Sequence, residues 1–477
     1  MFMKKYAIVL LLISTWCKAQ NSWVYRDSSA DYQSTTCGVE LPNLDILTIL
    51  LRPKFEEDRW FVNSTFLVLH PNGTRKTEKQ ITLPNRPYLY LYDIKLFTDY
   101  FIAFGAAGSD DFTSEQDYVM LYYNYNFELI DTKLFPLPIG QRIPYFVRVS
   151  DISNDQFVIA SKSFTDSTHT KTNNYMILVN KNGDLLNSYF NKPNEAQSWQ
   201  FFKRSLYDEI VSFTPEIFYF DKLLNLKAKT QSSSYISQIL SSQDMAFQKS
   251  IDDELVFTLF PDSETIRYGI FNINSLRVLA TGSTQKDNFR TPAFGNSIAI
   301  NKEKNIFISG CTGQSFLYQS KLFVTKHQPS STTVEWDFEY STTKNLRNTC
   351  VVACQDGGVI WIGTGSDINL NPKREVLIVK IDKDGNVITN NKDITKDKTR
   401  YSIIEKTIDQ TLVIKTNEIP LRSQLSLFDI YGKVICTKSI FAFTEHQIIE
   451  TRQLPSSIYF YSIETEGKNI LSGQWIK

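Results

Sequence analysis

The sequence predicts an all-β chain: a seven-bladed β-propeller followed by a small antiparallel β-sandwich. Three observations carry this. The 477 residues include 33 Phe and 24 Tyr, and aromatic and β-branched side chains favour pleated, half-buried surfaces. A strand–turn–strand frame recurs along most of the chain, with a period of about 50 residues. That frame stops at a polar stretch, and a different set of short strands fills residues 401–477.

The frame is clearest at 175–185, YMILVNKNGDL, where an apolar strand meets a polar turn with Gly183 and a second strand follows. It recurs as FLVLHPNGT (66–74) and VLIVKIDKDGNVI (376–388). Glycine suits such a turn because one residue must take φ > 0. Copies without the glycine read MLYYNYNFELI (120–130), IFYFDKLLNL (217–226), YGIFNINSLRVL (268–279) and LFVTKHQPSS (322–331). The residues that open these turns are His70, Asn124, Asn180, Asp221, Asn272, His327 and Asp382, at spacings of 54, 56, 41, 51, 55 and 55. Each unit also has an upstream hairpin, as in FVRVSDISNDQFVIASKS (146–163), SIAINKEKNIFISGCTG (297–313) and CVVACQDGGVIWIGTG (350–365). Two hairpins make a four-stranded blade, and blades packed in a ring bury both faces and leave only short edges. Tandem sandwiches are the alternative architecture, but they have no reason to repeat at this interval.

Residues 1–19 read as a secretory signal peptide. Lys4 and Lys5 precede the apolar run Tyr6–Ile13, and Cys17-Lys18-Ala19 places small residues where cleavage after Ala19 needs them. A lipoprotein reading through Cys17 meets the bulk of Trp16. No later stretch approaches the ~20 apolar residues of a membrane-spanning helix, so the mature chain is expected to be soluble. The body is then 20–389, and NNKDITKDKTR (390–400), with one apolar residue, is a polar linker. Lys+Arg and Asp+Glu are both 51, so there is no electrostatic case for nucleic acid or an anionic membrane. Cysteines 37, 311, 350, 354 and 436 remain after cleavage. They are too few for a disulfide framework, and with four His in the chain a zinc site is not expected.

Within 401–477, strands are expected at 411–419, 423–430, 432–440, 446–454 and 457–465. Tyr431-Gly432-Lys433 reads as a hairpin turn. LSLFDIYGKVI (425–435), QLPSSIYFYSIETEG (453–467) and the terminal ILSGQWIK (470–477) together resemble the type A C-terminal sorting domain of the type IX secretion system. The resemblance marks Asp429, Gly432, Lys433, Tyr459 and Lys477 as its motif residues. Ser457 stands where the family usually has Gly, and its Asn-Pro near the start is missing. The resemblance implies export from a Gram-negative cell through the periplasm, with the secretion machinery as partner. It also implies a body released from the cell or held on its outer surface.

No GxSxG, HExxH, P-loop or GxGxxG motif is present, and neither is the Asp-box of sialidases. Gly363-Thr364-Gly365-Ser366 reads as a glycine-rich hairpin. His70 and His327 read as polar turn residues. Asp382, Asp384 and Asn386 resemble the start of a calcium loop, against a plain turn capped by Asp382. Asp367, Asn369 and Asn371 are similar, with Pro372 where the bend needs Gly. Asp110, Asp111, Glu115 and Asp117 form an acidic loop, which could be solvated, calcium-binding or complementary to a basic partner. No cofactor is expected, calcium being the exception. The body is expected to be a non-catalytic, monomeric platform for a polysaccharide or protein ligand. The alternative is a hydrolase or lyase acting on polysaccharide.

Overall fold

The computed structural model describes residues 22–28, 33–56, 59–108, 116–138, 147–164, 172–191, 201–213, 216–231, 246–249, 253–262, 265–284, 290–292, 296–312, 321–328, 333–341, 345–366, 374–387, 401–406, 411–416, 423–429, 433–440, 446–450, 453–455, 458–465 and 468–476. The chain divides into two compact units, Met1–Thr389 and Asn390–Lys477.

The first unit opens with β1 (Trp23–Asp27), which the chain lays aside until the end. The first sheet then runs β2 (Ser34–Glu40), β3 (Ile46–Glu56), β4 (Arg59–Leu69) and β5 (Arg75–Gln80). The second is β6 (Tyr88–Leu96), β7 (Tyr100–Gly108), β8 (Gln116–Asn124) and β9 (Leu129–Pro136). The third is β10 (Val147–Ser153), β11 (Gln156–Phe164), β12 (Thr172–Asn180) and β13 (Leu185–Asn191). The fourth is β14 (Phe201–Arg204), β15 (Glu209–Phe213), β16 (Glu216–Phe220) and β17 (Leu226–Gln231), and its short strands explain the 41-residue spacing before Asp221. The fifth is β18 (Ala246–Lys249), β19 (Glu254–Asp262), β20 (Thr265–Asn272) and β21 (Arg277–Thr284). In the sixth, β22 (Arg290–Pro292) and β23 (Ile298–Ile300) both pair with β24 (Ile306–Thr312), followed by β25 (Lys321–His327) and β26 (Val334–Ser341). The seventh is β27 (Asn345–Ala353), β28 (Val359–Ser366) and β29 (Arg374–Ile381), completed by β1 as its fourth strand.

These sheets form a closed propeller. Buried apolar clusters join the first sheet to the second, the second to the third, and so on through the seventh. A further cluster joins the seventh back to the first, packing Cys350, Ile360 and Ile378 against Ile46, Leu50 and Leu67. Buried hydroxyls stitch six of the seven junctions among the described residues. They include Tyr118 to Ser161 at 2.7 Å, Thr258 to Ser297 at 2.7 Å, and Thr35 to Thr349 at 2.7 Å across the closing seam. The others are Ser64, which accepts from Leu91 N–H, Ser150, which accepts from Phe201 N–H, and Ser309, which accepts from Asn348 Nδ2. A buried hydroxyl left without a partner costs about 1–3 kcal/mol, so each pair selects the register in which two sheets meet.

Among the described residues of the first unit, eight hairpin turns share one geometry. Residue one takes its N–H to the carbonyl of residue five, and residue four lies in the left-handed region. Residue four is Gly in the turns at Gly73, Gly183, Gly357 and Gly385, but it is Leu44, Phe127, Leu224 and Lys304 in others. The copies at 120–130 and 217–226, which lack glycine, therefore keep the backbone, whereas in the copy at 268–279 Asn272 pairs directly with Arg277. Where residue one is Asn124, Asn180, Asp221 or Asn301, its side chain accepts from amides inside the turn, which offsets the cost of about 1–2 kcal/mol for a left-handed residue. Leu224 and Phe127 add buried apolar contact at the sheet junctions. His327 departs from the expected pattern. It is the last residue of β25 and fully buried, with Tyr268 OH 3.0 Å from Nδ1 and Thr325 Oγ1 2.9 Å from Nε2, and the turn opens one residue later at Gln328. Gly363-Thr364-Gly365-Ser366 is likewise no turn but the end of β28.

The outer strand of one sheet reaches the turn of the next. Trp23 Nε1 donates to Pro71 O at 2.7 Å, Lys79 Nζ to Phe127 O at 2.5 Å, Asn187 Nδ2 to Leu223 O at 2.5 Å, and Trp336 Nε1 to Lys383 O at 3.0 Å. At the closing seam the fit is tight, since a Cβ on Gly73 would stand 2.5 Å from the Trp23 ring. Asp27 and Arg52, 3.3 Å apart, and Gln355 N–H donating to Glu40 at 2.6 Å add polar ties there.

The second unit has a three-stranded sheet, β30 (Tyr401–Lys406), β31 (Thr411–Thr416) and β34 (His446–Glu450). Its other sheet runs in the order β33 (Val434–Ile440), β32 (Ser423–Phe428), β35 (Ile458–Thr465) and β36 (Lys468–Ile476). The linker 390–400 and the signal segment 1–19 lie outside the described residues.

Trp23→Ala removes a buried indole from the seam and is expected to cost about 3–5 kcal/mol. Gly73→Ala is expected to destabilise as well. The double variant should cost less than the two together, because both open one contact. Urea unfolding of the four proteins measures this, and strict additivity would contradict it.

Candidate functional site

The innermost strands enclose a central channel holding a cavity of about 420 Å³. Its wall is drawn from β2, β6, β10, β14, β23 and β27. Four of these strands break register there: β2 between Thr35 and Gly38, β6 between Leu91 and Asp93, β10 between Asp151 and Ser153, and β27 between Asn348 and Cys350. A bulge re-aims the side chains beside it. On β6 the bulge lies beside Tyr92 and Asp93, which both line the cavity. Between β22 and β23 the sixth sheet's inner edge leaves its own ladder. Asn296 instead bonds to β27 through both its N–H and its C=O, to Thr349 O at 3.1 Å and Val351 N at 3.0 Å.

Four charged side chains from two neighbouring sheets converge in this channel. Lys95 Nζ lies 2.9 Å from Asp151 Oδ2 and 3.8 Å from Asp93 Oδ2. Asp93 Oδ1 also accepts the Ile94 N–H at 2.8 Å. Arg148 on β10 completes the group. The Asp151 side chain is 55% exposed and that of Asp93 is 32% exposed, so solvent in the channel reaches both. Burial nevertheless pushes the Asp93 carboxyl above the usual carboxylate range, against the pull of Lys95. Burial would lower the Lys95 ammonium, but Asp93 and Asp151 more than reverse it and hold the amine charged. Burial lowers Arg148, with Asp93 opposing. Tyr92 stacks on Tyr90 with ring centroids 4.4 Å apart.

Two thiols also line the cavity. Burial raises Cys37 well above its ordinary value and pushes Cys350 up to about 12. Protonated thiols are poor nucleophiles. No disulfide joins the five cysteines among the described residues.

None of these channel residues stood out in the sequence. The available signal was the pair of charges in YLYLYDIKL and the alternating charges of VRVSDIS, set in strands that open their blades. Of the residues that did stand out, Asp382 Oδ1 accepts from Asp384 N–H at 2.9 Å and Asn386 N–H at 2.8 Å. That carboxylate is turned onto its own backbone, as in a capped turn. Asp117 pairs with Arg86 at 2.9 Å. Asp110, Asp111, Glu115, Asp367, Asn369 and Asn371 lie outside the described residues. No cluster of three metal-ligating side chains occurs among the described residues.

In the second unit, Asp429 opens the same kind of turn that serves the propeller. Its N–H donates to Lys433 O at 3.0 Å, and its Oδ1 accepts Lys433 N–H at 2.9 Å. Tyr459 is buried on β35, its hydroxyl donating to Pro455 O at 2.6 Å. Gly432 and Lys477 lie outside the described residues.

Fold and site define a β-propeller with a polar, mixed-charge channel, joined to a small two-sheet unit. Residues 407–477 match the family described as the secretion system C-terminal sorting domain. The chain thus carries a type IX sorting domain, which marks it for secretion to the cell surface or beyond. No curated protein matches the chain. Among solved structures, an acylaminoacyl peptidase from Pyrococcus horikoshii is similar at 9% identity, covering 81% of this chain and 58% of its own, with a TM-score of 0.44. The β-propeller domain of the Trilobed protease from Pyrococcus furiosus is similar at 8% identity, covering 77% and 99%, with a TM-score of 0.42. BamB from Moraxella catarrhalis is similar at 8% identity, covering 75% and 98%, with a TM-score of 0.36. The chain spans 58% of the length of the acylaminoacyl peptidase. No helix among the described residues is long and apolar enough to cross a membrane.

A thiol reagent is expected to label Cys436, which is partly exposed, in the native protein. Cys37, Cys311, Cys350 and Cys354 should react only after denaturation. Rapid labelling of any of these four in the folded chain would contradict their burial.

Proposed function

We propose that the chain is a secreted protein whose propeller binds a polysaccharide or protein ligand through its central channel. The observation that supports this most directly is the cavity itself. Its volume lies in the range of small-ligand sites, about 300–1,000 Å³. Its wall combines aromatic rings with charges of both signs. Rigid strands hold these groups, so binding costs little ordering.

In each sheet the first and third links are tight turns at one end, while the middle link and the step to the next sheet leave from the other. Loops on a rigid scaffold are where recognition concentrates, so the ligand is read at this end.

For the C-terminal unit, Asp429, Gly432, Lys433, Tyr459 and Lys477 act as the features read by the secretion machinery. Export runs through the periplasm of a Gram-negative cell after removal of residues 1–19. The exported chain is a monomer that needs no cofactor. The turn at Asp382, Asp384 and Asn386 serves structure and not calcium.

Two measurements test these proposals. Deleting 401–477 is expected to leave the body inside the cell, seen by fractionating cultures, and unchanged export would refute the sorting role. On a glycan array and in pulldowns with the exported chain, Arg148→Ala is expected to weaken ligand binding at least ~10-fold, about the loss of one charge-assisted contact. Undiminished binding would remove the channel as the site.

A further inference from the structure

We propose that an apolar row on the outer face of the second unit, formed by Val434, Phe428 and Phe460, is the surface by which a protein of the secretion machinery holds the chain for export. The inference rests on the reading of residues 401–477 as a sorting signal and adds where that signal is bound. Phe428 on β32 stands directly opposite Val434 on β33 and Phe460 on β35. Opposed side chains of antiparallel strands share a face, with Cβ atoms about 4.5–5.5 Å apart. The three therefore make one row across three strands. Val434 is 51% exposed, Phe460 is 44% exposed and Phe428 is half-buried. Their sequence neighbours Leu427 and Tyr459 are buried. The sheet thus buries one face and leaves aromatic rings on the other.

The motif residues shape this row from within. Asp429 follows Phe428, and its turn brings the chain back to Val434 through the two bonds between Asp429 and Lys433. A bulge then sets Val434, and not Ile435, opposite Phe428. Tyr459 is anchored by its hydroxyl to Pro455 O at 2.6 Å, and the alternation of a strand turns Phe460 outward. Asp429 Oδ1 and the Tyr459 hydroxyl are engaged with the chain's own backbone, so a partner meets what they hold in place.

The chemistry of the row selects the partner. The unit matches a family of sorting domains, whose partner is the secretion machinery. Aromatic side chains are favoured anchors of protein interfaces. Beside the row, β33 and its turn carry the exposed Lys433 and Lys438, and residues 433–440 contain no acid. A protein groove with an apolar floor and carboxylates on its rim complements both features. A lipid surface fits less well, since membrane binding grows with buried apolar area and three side chains offer little.

The test follows the full chain in the secreting cell. Val434→Asn combined with Phe460→Asn is expected to lower the exported fraction at least ~10-fold, the scale of losing anchors from an interface, with the protein kept in the periplasm. Leu279→Asn, at an equally exposed site on β21, should export as the parent does. The purified double variant should melt with the parent, because both side chains are exposed. A photoreactive benzophenone side chain at position 460 reads the contact whether or not the double variant is destabilised. It should form an adduct with a protein of the secretion machinery, and the same group at position 279 should not. Parent-like export of the double variant, an equal loss with Leu279→Asn, or a 460 adduct that is absent or confined to lipid would each overturn the row as the docking surface. Blocked export on deleting 401–477 beside parent-like export of the double variant removes the row alone. Unchanged export in both removes the sorting role with it.

Discussion

The structure depends on one pairing that joins the two ends of the body. β1, near the start of the chain, runs antiparallel to β29, and Trp23 to Asp27 face Lys380 to Val376. Without it the seventh sheet has three strands and the ring ends in an open edge, whose unpaired amides and carbonyls are a liability. With it the first and last sheets are held by one ladder, one apolar cluster and the hydrogen bond from Trp23 to the turn at Pro71. A ring cannot be partly closed, because each sheet buries its two faces against two neighbours. Opening one junction exposes apolar surface on both sides of it. Contacts this distant in sequence also make closure the step with the largest loop entropy to overcome.

Closure creates the channel. Its inner strands carry bulges at Thr35, Leu91, Asp151 and Asn348, beside residues of the lining. Lys95 is consequently shared between acids from two sheets, and its charge keeps the cluster electrically matched in a confined space. An unpaired charge there would be costly. Conformational precision is supplied mainly by the buried hydroxyl pairs between sheets, since apolar packing alone would tolerate sliding of one sheet along the next.

Much of the architecture was legible because it follows from local chemistry. The repeated turn is written in residues such as Asn180-Lys181-Asn182-Gly183, and its side-chain caps make it recognisable even where Phe127 or Leu224 replaces glycine. His327 was misread because one residue of offset separates a turn opener from a strand end. In a strand that offset carries the side chain from solvent into the core. Gly363 to Ser366 misled for a related reason: small residues there let strands pack closely under Trp361, and composition alone does not separate that use from a turn.

By itself the sequence determined the address and the building unit. The Asp429 turn, the Tyr459 strand and the repeated hairpins are short-range patterns, and each fold element forms from neighbours in the chain. Only the tertiary structure decided the closure by β1 and the chemistry of the channel. Trp23 meets Pro71, Lys95 meets Asp151, and Thr35 meets Thr349 because a ring brings distant strands together. Those meetings depend on blade order, bulge placement and the direction of each side chain, which no local pattern encodes.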